Sequence, residues 1–176
     1  MDRIEMDKSG FVFSDVSWVA SAVSKDPGRY ALTCICVQDG WVVATDGHRL
    51  HAVYFEENMR PDWEDGLYRI LVNKKSELVA VKDGDTGKFP DWLVLFKEHR
   101  PVASIDFHIS PKGIDGPYAK TIRMLPDDLT INYKFFSDLG DAHYEAFYYG
   151  EGPVYFMNDR RLAAIMPLCL LDPSNP

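Results

Sequence analysis

Several polar side chains within one short segment could do chemistry. Asp46 and His48 are two residues apart, so a carboxylate and an imidazole could work together as acid and base, and His48 with His51 could bind a metal ion. Residues three apart on a strand point to opposite faces, so a metal ion shared by the two histidines is not expected. No nucleophile or second carboxylate is placed beside Asp46 and His48. An enzyme that uses these two residues is therefore kept only as an alternative.

The polar segment lies in a predicted β-hairpin. Strand-forming residues flank it on both sides, and Asp46-Gly47 favours the positive backbone angles of a tight turn. The turn accounts for Asp46 and Gly47. It does not account for Thr45, His48 and Arg49, because a bare hairpin accepts most strand formers at those positions. Arg49 could have a purely structural role, in which it satisfies carbonyl groups at the hairpin edge.

Apolar periodicity predicts strands and short helices in the first half of the chain. Ser14 with Asp15 offers an N-cap for a helix whose apolar face contains Val16 and Val19 and which ends near Lys25. The other predicted elements are an opening strand at 4–13, a three-stranded meander at 30–37, 41–45 and 48–55, an exposed connection at 56–66, a strand at 67–72 and a short helix at 74–82.

The second half predicts another meander. Its predicted elements are strands at 104–109 and 120–125, a loop between them at 110–118, a short helix at 132–139, and strands at 144–149, 153–157 and 162–170, the last after a turn at 158–160. The two meanders backed by short helices indicate an α+β protein.

Composition limits the function classes. The 176 residues are 46% hydrophobic and carry a net charge of −8, which disfavours an electrostatic nucleic-acid binder without excluding a basic patch. Cys34 and Cys36 lie two apart in an apolar run and are expected to be buried thiols, with no disulfide, zinc site or cofactor. No signal peptide or membrane span is apparent, so we expect a cytoplasmic protein.

Three segments resemble the bacterial DNA polymerase III beta subunit, the sliding-clamp family. Residues 45–50, Thr-Asp-Gly-His-Arg-Leu after Val-Val-Ala, are similar to the signature hairpin of that family. Residues 89–92, Phe-Pro-Asp-Trp, resemble its Phe-Pro-Asp-Tyr element, and residues 166–170, Met-Pro-Leu-Cys-Leu, resemble its Met-Pro-Met-Arg-Leu ending. Cys169 stands where the family has arginine. The three segments occur in the family's order, which a chance hexapeptide match does not explain.

The resemblance implies a DNA-clamp-like fold with antiparallel meanders and a non-enzymatic pocket. In the family, the hairpin and the terminal strand line a pocket for short linear motifs of replication and repair proteins. The implied peptide-binding residues are Thr45, Gly47, His48, Arg49 and Leu50 on one wall and Met166, Pro167, Leu168 and Leu170 on the other, with Pro90 as a weaker addition.

The chain also departs from the family. A clamp subunit has three similar domains, whereas 176 residues suffice for about one and a half, so we expect a single clamp-like unit over 1–176 with approximate halves 1–92 and 93–176. Ring formation is therefore doubtful. A small oligomeric clamp on double-stranded DNA remains an alternative, for which the candidate DNA-binding residues are Lys25, Lys74, Lys75 and Lys82.

Overall fold

The computed structural model describes residues 3–10, 12–59, 62–84, 87–96, 103–109, 130–140 and 142–168. The chain divides into two compact units. Unit 1 comprises residues 1–98 and 159–163, and unit 2 comprises residues 99–158 and 164–176. The loop predicted at 110–118, the strand predicted at 120–125, Cys169 and Leu170 lie outside the described residues.

Unit 1 is an antiparallel sheet with one helix. Its elements are β1 (Arg3–Asp7), α1 (Phe13–Ala20), β2 (Cys34–Gln38), β3 (Trp41–Thr45), β4 (Arg49–Tyr54), β5 (Gly66–Lys74) and β6 (Glu77–Lys82). The strands lie in the order β1-β6-β5-β2-β3-β4. Beyond β4, the Tyr54 N–H donates to the carbonyl of Arg160 at 3.1 Å, so the returning chain extends this sheet. The predicted first meander is confirmed, although residues 30–33 form a 3-10 turn and the strand starts at Cys34.

The middle of this sheet is apolar. Cys34 and Cys36 are buried on β2, which pairs with β3 on one side and β5 on the other. Burial raises the pKa of both thiols, that of Cys36 to about 11. The predicted buried thiols are therefore confirmed at these two positions.

The two Asp-Gly pairs of unit 1 form different turns. Between β2 and β3, both Asp39 and Gly40 have positive φ angles, 50° and 85°, as a two-residue type I′ turn requires. Gly47 has a φ of 89°, whereas Asp46 has no positive φ. The expectation that Asp46 adopts a positive angle was wrong, because the second loop is longer than two residues.

The predicted helix at 74–82 is also wrong. Lys74 pairs with Glu77 across a tight turn, and residues 77–82 form β6 between β1 and β5. Leu78, Val79 and Ala80 are buried in that position. Cross-strand burial on both sides outweighs the helix propensity of the charged residues that precede β6.

The first helix is confirmed in position but begins differently. Its N-cap is Val12, and Asp15 lies in the first turn rather than at the cap. The helix ends at Ala20, before the predicted end near Lys25. The side chains of Val16 and Val19 are fully buried, as the apolar periodicity predicted.

Unit 2 contains the second meander. Its elements are β7 (Ala103–Ile109), β8 (Thr130–Ile131), α2 (Tyr133–Ser137), β9 (Ala142–Tyr148), β10 (Val154–Met157) and β12 (Pro167–Leu168); β11 (Arg161–Ile165) begins in unit 1 and ends in unit 2. The strands β10, β9 and β7 are antiparallel neighbours. The Asn132 side chain caps α2 by accepting the Lys134 N–H at 3.0 Å, which confirms the predicted helix.

The predicted terminal strand is broken in two. β11 ends at Ile165, and Pro167 and Leu168 instead pair with β8 in a two-stranded sheet. Proline has no N–H to donate to a continuing ladder, which accounts for the break at this position.

Within the part of the chain that the structure describes, no helix combines the length and apolar character needed to cross a membrane.

Candidate functional site

Thr45 closes the loop at the tip of the β3–β4 hairpin. Thr45 and Leu50 are the last cross-strand pair, and the Asp46 N–H donates to the Arg49 carbonyl at 3.3 Å. The Thr45 hydroxyl donates to the same carbonyl at 2.6 Å and accepts the Gly47 N–H at 3.1 Å. A strand former without a hydroxyl would leave the Gly47 N–H without this acceptor, so the loop explains why threonine precedes Asp46.

Asp46 organises the loop through its side chain. Its Oδ1 atom accepts the backbone N–H groups of His48 at 2.9 Å and Arg49 at 3.0 Å. An aspartate that bonds to the backbone two residues ahead imitates a turn, and this Asx geometry replaces the predicted positive φ. The Asp46 carboxylate is therefore engaged in holding the tip.

Arg49 attaches the tip to the helix. Its side chain is only 7% exposed, its Nε donates to Asp46 Oδ2 at 3.2 Å, and its Nη2 donates to the Ser21 carbonyl at 2.6 Å, just past α1. The geometry thus gives Arg49 the carbonyl-satisfying role that the sequence left open. The buried Arg49 side chain therefore holds the conformation of the tip.

Arg29 lies over Gly47 and was missed by the sequence analysis. Its Nη1 donates to the Asp46 carbonyl at 3.3 Å, and a Cβ atom built on Gly47 would come within 2.8 Å of Nη1. About half of the Arg29 side chain is exposed. Seventeen residues separate Arg29 from Asp46, so no local pattern could have joined them.

The tip divides into buried and exposed residues. Thr45, Arg49 and Leu50 are buried, whereas Gly47 and His48 are exposed. The exposed part offers the imidazole of His48 and, beside Gly47, the guanidinium of Arg29. This combination suits hydrogen bonding to a ligand's carbonyl or carboxylate groups.

His51 is separated from His48, as the strand geometry predicted. It is fully buried, its ring stacks on Trp18 with centroids 4.2 Å apart, and its Nδ1 lies 3.0 Å from the Trp18 carbonyl. Burial lowers the pKa of His51 to about 3, so the ring is neutral at pH 7 and Nδ1 carries the proton that it donates. Among the described residues, no group of three His, Cys, Asp or Glu side chains could hold a metal ion.

A buried carboxylate ties the start of β11 to α1. Arg161 Nε and Nη2 lie 2.9 and 2.7 Å from Asp15 Oδ1, and the Arg161 guanidinium lies 5.0 Å from the Trp18 ring centre. Arg160 Nη2 is 3.3 Å from Asp15 Oδ2 without hydrogen-bond geometry. Asp15 therefore forms ion pairs with two arginines of unit 1.

The other predicted peptide-binding residues that the structure describes, Pro90, Met166, Pro167 and Leu168, are exposed or partly exposed. Pro90 is exposed in unit 1. In unit 2, Met166 and Leu168 are exposed, and Pro167 and Leu168 pair with Ile131 and Thr130.

The predicted DNA-binding lysines do not lie on a helix. Lys74 and Lys75 are exposed at the β5–β6 turn, and Lys25 is exposed beyond α1. Lys82 pairs with Glu64 at 2.6 Å. It lies five residues beyond Glu77 on β6, which is about 17 Å at the rise of a strand, so it is remote from the turn.

Solved structures identify this architecture. The DNA polymerase III beta subunit of Thermotoga maritima matches 97% of the chain with a TM-score of 0.64 at 13% sequence identity. The chain has the sliding-clamp fold. The predicted clamp-like α+β class is therefore confirmed.

Other sliding clamps give the same result. The Borrelia burgdorferi beta subunit in complex with a natural product matches with a TM-score of 0.60, and the Helicobacter pylori beta clamp bound to a DNA ligase peptide with 0.57. Each is 13% identical; the matches cover 97% and 94% of this chain and 65% of each clamp chain. The chain spans 66% of the length of the Thermotoga subunit. No protein-family model and no curated protein sequence matches it.

Proposed function

We propose that the chain is a non-enzymatic, sliding-clamp-like module that binds short linear motifs of DNA replication or repair proteins. The observation that carries the proposal is the hairpin tip. Thr45, Asp46 and Arg49 hold its backbone through hydrogen bonds, and the loop leaves Gly47 and His48 exposed. The clamp fold supports the proposal, since one protein that shares it is bound to a DNA ligase peptide.

The proposed residues have different tasks. Thr45, Arg49 and Leu50 fix the shape of the tip, because their side chains are buried. Gly47 lets a peptide approach the backbone, and His48 donates to it. Arg29 joins the proposed set as a second exposed donor. The family resemblance is the basis for assigning the apolar anchors of the peptide to Pro90, Met166, Pro167, Leu168 and Leu170.

The expected affinity is modest. Burying one leucine and one phenylalanine contributes about 1.5–3 kcal/mol each. Hydrogen bonds at the tip add to this, and ordering the peptide subtracts from it. The binding free energy should therefore reach about −8 kcal/mol at best, which corresponds to a Kd of about 1 μM or weaker.

The test is fluorescence anisotropy with a labelled Gln-Leu-Ser-Leu-Phe peptide. We expect saturable binding, and we expect a peptide with alanine for both leucines and phenylalanine not to bind. His48→Ala and Met166→Ala should each weaken binding about fivefold to tenfold, because each removes about 1 kcal/mol of contact from an exposed side chain. Arg49→Ala is unsuitable, since Arg49 also holds the fold of the tip.

Leu71→Ala is the matched control. Leu71 is an exposed aliphatic residue on β5 in unit 1, and its loss should leave peptide affinity unchanged. Equal binding of the alanine peptide, or unchanged affinity in both His48→Ala and Met166→Ala, would refute the proposal.

A further inference from the structure

A row of aromatic rings lines the face of β3 and β4 that points away from α1. Trp41 and Tyr54 are cross-strand partners with ring centroids 5.1 Å apart, and the Trp41 ring is 5.2 Å from that of Trp92. His51, which stacks on α1, precedes Tyr54 by three residues on β4 and so faces the opposite way. The helix therefore does not cover this row.

The row ends in exposed apolar surface. Tyr54 is 42% exposed, and in the 3-10 turn that begins at the buried Trp92, Leu93 and Val94 are 53% and 51% exposed. Tyr54 lies four residue pairs from Leu50 at the tip, which is about 14 Å along the strands. Tyr54 is thus separate from the hairpin tip.

Carboxylates border the same surface. The Asp39 N–H donates to Asp65 Oδ2 at 3.3 Å, which places both acids at one turn. Gly40 of that turn lies against the Tyr54 ring, since a Cβ atom built on Gly40 would be 3.1 Å from Tyr54 Cε2. Asp91 directly precedes Trp92, and Asp39, Asp65 and Asp91 are all exposed.

We propose that this aromatic surface docks a partner segment in which arginines alternate with leucines. It is defined by Trp41, Tyr54, Leu93 and Val94 with the carboxylates of Asp39, Asp65 and Asp91. An arginine guanidinium stacks on aromatic rings and pairs with carboxylates, and the Tyr54 ring lies beside the turn that carries Asp39. Leucines pack on Leu93 and Val94. The acidic border and the net charge of −8 repel an acidic segment.

The probe is a fluorescein-labelled Arg-Leu-Arg-Leu-Leu-Arg peptide, titrated with the intact chain and followed by anisotropy. The control peptide has glutamine for every arginine and should bind at least tenfold more weakly. Tyr54→Ala should weaken binding of the arginine peptide about threefold to fivefold. Asp39→Asn should weaken it and reduce its salt dependence; asparagine tolerates the positive φ of this position.

Tyr133→Ala is the control variant, since Tyr133 is a 51% exposed tyrosine of unit 2. Its loss should leave the affinity for the arginine peptide unchanged. Binding of the Gln-Leu-Ser-Leu-Phe peptide should be unchanged in Tyr54→Ala, which separates this surface from the tip. The proposal is overturned if the glutamine peptide binds equally well, if Tyr54→Ala binds the arginine peptide normally, or if neither peptide binds. It is also overturned if sedimentation shows self-association that Tyr54→Ala abolishes, because the occupant would then be a second copy of the chain.

Discussion

His51 couples the stability of unit 1 to pH. Burial lowers the pKa of its imidazole in the folded chain to about 3, below the ordinary value of 6.5. The unfolded chain therefore binds the proton more readily, so stability is complete above pH 6.5 and falls as the pH drops towards 3. Between these pH values the free energy of unfolding falls by up to about 1.4 kcal/mol per pH unit. Urea unfolding at pH 7.5 and pH 4.5 measures it.

The variant His51→Phe isolates this contribution. Phenylalanine keeps an aromatic ring beside Trp18 and cannot take up a proton. Hydrogen bonds from Ser9 and Lys82 lower the pKa of the Asp7 and Glu64 carboxyls. Acid therefore also reduces the stability of the wild type and of the variant through these two carboxyls. The variant should lose less stability than the wild type between the two pH values, and an equal loss would contradict the assignment.

The hairpin tip shows how far single residues can be predicted. The turn at Asp46 and Gly47 follows from local chemistry, because turns draw on residues that bond within a few positions, whereas the part of Thr45 in closing the loop was not predicted. The turn mechanism was misjudged, since the Asp46 side chain can replace a positive φ. Arg29 was beyond prediction because its contact with Asp46 depends on the folded path of 17 residues.

At the scale of elements, Asp15 joins α1 to the start of β11. Asp15→Asn keeps the size of the side chain but removes the charge that faces Arg160 and Arg161. We expect the free energy of unfolding to fall by about 1.5–3 kcal/mol, the usual value of hydrogen bonds to a charged group. Chemical denaturation followed by tryptophan fluorescence measures the change.

We expect Arg160 and Arg161 to contribute unequally to the stability of the chain. The Arg161 side chain is 20% exposed, donates to Asp15 Oδ1 at 2.9 Å and covers Trp18, whereas that of Arg160 is 40% exposed and lies 3.3 Å from Asp15 Oδ2 without hydrogen-bond geometry. Arg161→Gln should therefore destabilise the chain more than Arg160→Gln. The reverse order would show that the Arg160 ion pair dominates.

Secondary-structure elements were predictable where a single local sequence pattern determines them. The strands β3 and β4 combine strand-forming residues with a turn signal, and the structure has both. The segment 74–82 failed because its charged start favours a helix, while its pairing with β1 and β5 depends on distant strands. The division of the terminal strand follows from Pro167, a local signal that the apolar run concealed.

For the whole molecule, the charge distribution predicts weak affinity for duplex DNA. The net charge is −8, and of the four candidate lysines Lys82 is paired with Glu64. If Lys25, Lys74 and Lys75 each contacted a phosphate, log K would fall against log salt with a slope of about −2.7. We expect no binding of a labelled duplex by the single chain at about 150 mM salt and a slope no steeper than this at lower salt. A steeper slope, or tight binding at that salt, would require phosphate contacts from cations other than these three lysines.

The length of the chain bears on whether it could act as a DNA clamp. It spans 66% of the length of the Thermotoga clamp subunit, yet 97% of it matches that subunit. Most of the chain thus corresponds to clamp architecture. A peptide-binding function needs only the residues of a local site, whereas encircling DNA needs a closed assembly of the right circumference. The two functions therefore make separate demands on this chain.

The reactivity of the buried thiols of β2 depends on opening of the sheet. Alkylating reagents attack the thiolate, and burial both hides the sulfur atoms of Cys34 and Cys36 and raises their pKa. Modification must therefore wait until the middle of the sheet separates from its neighbours. The rate at which an alkylating reagent labels these two cysteines in native buffer reports how readily unit 1 opens in the absence of denaturant.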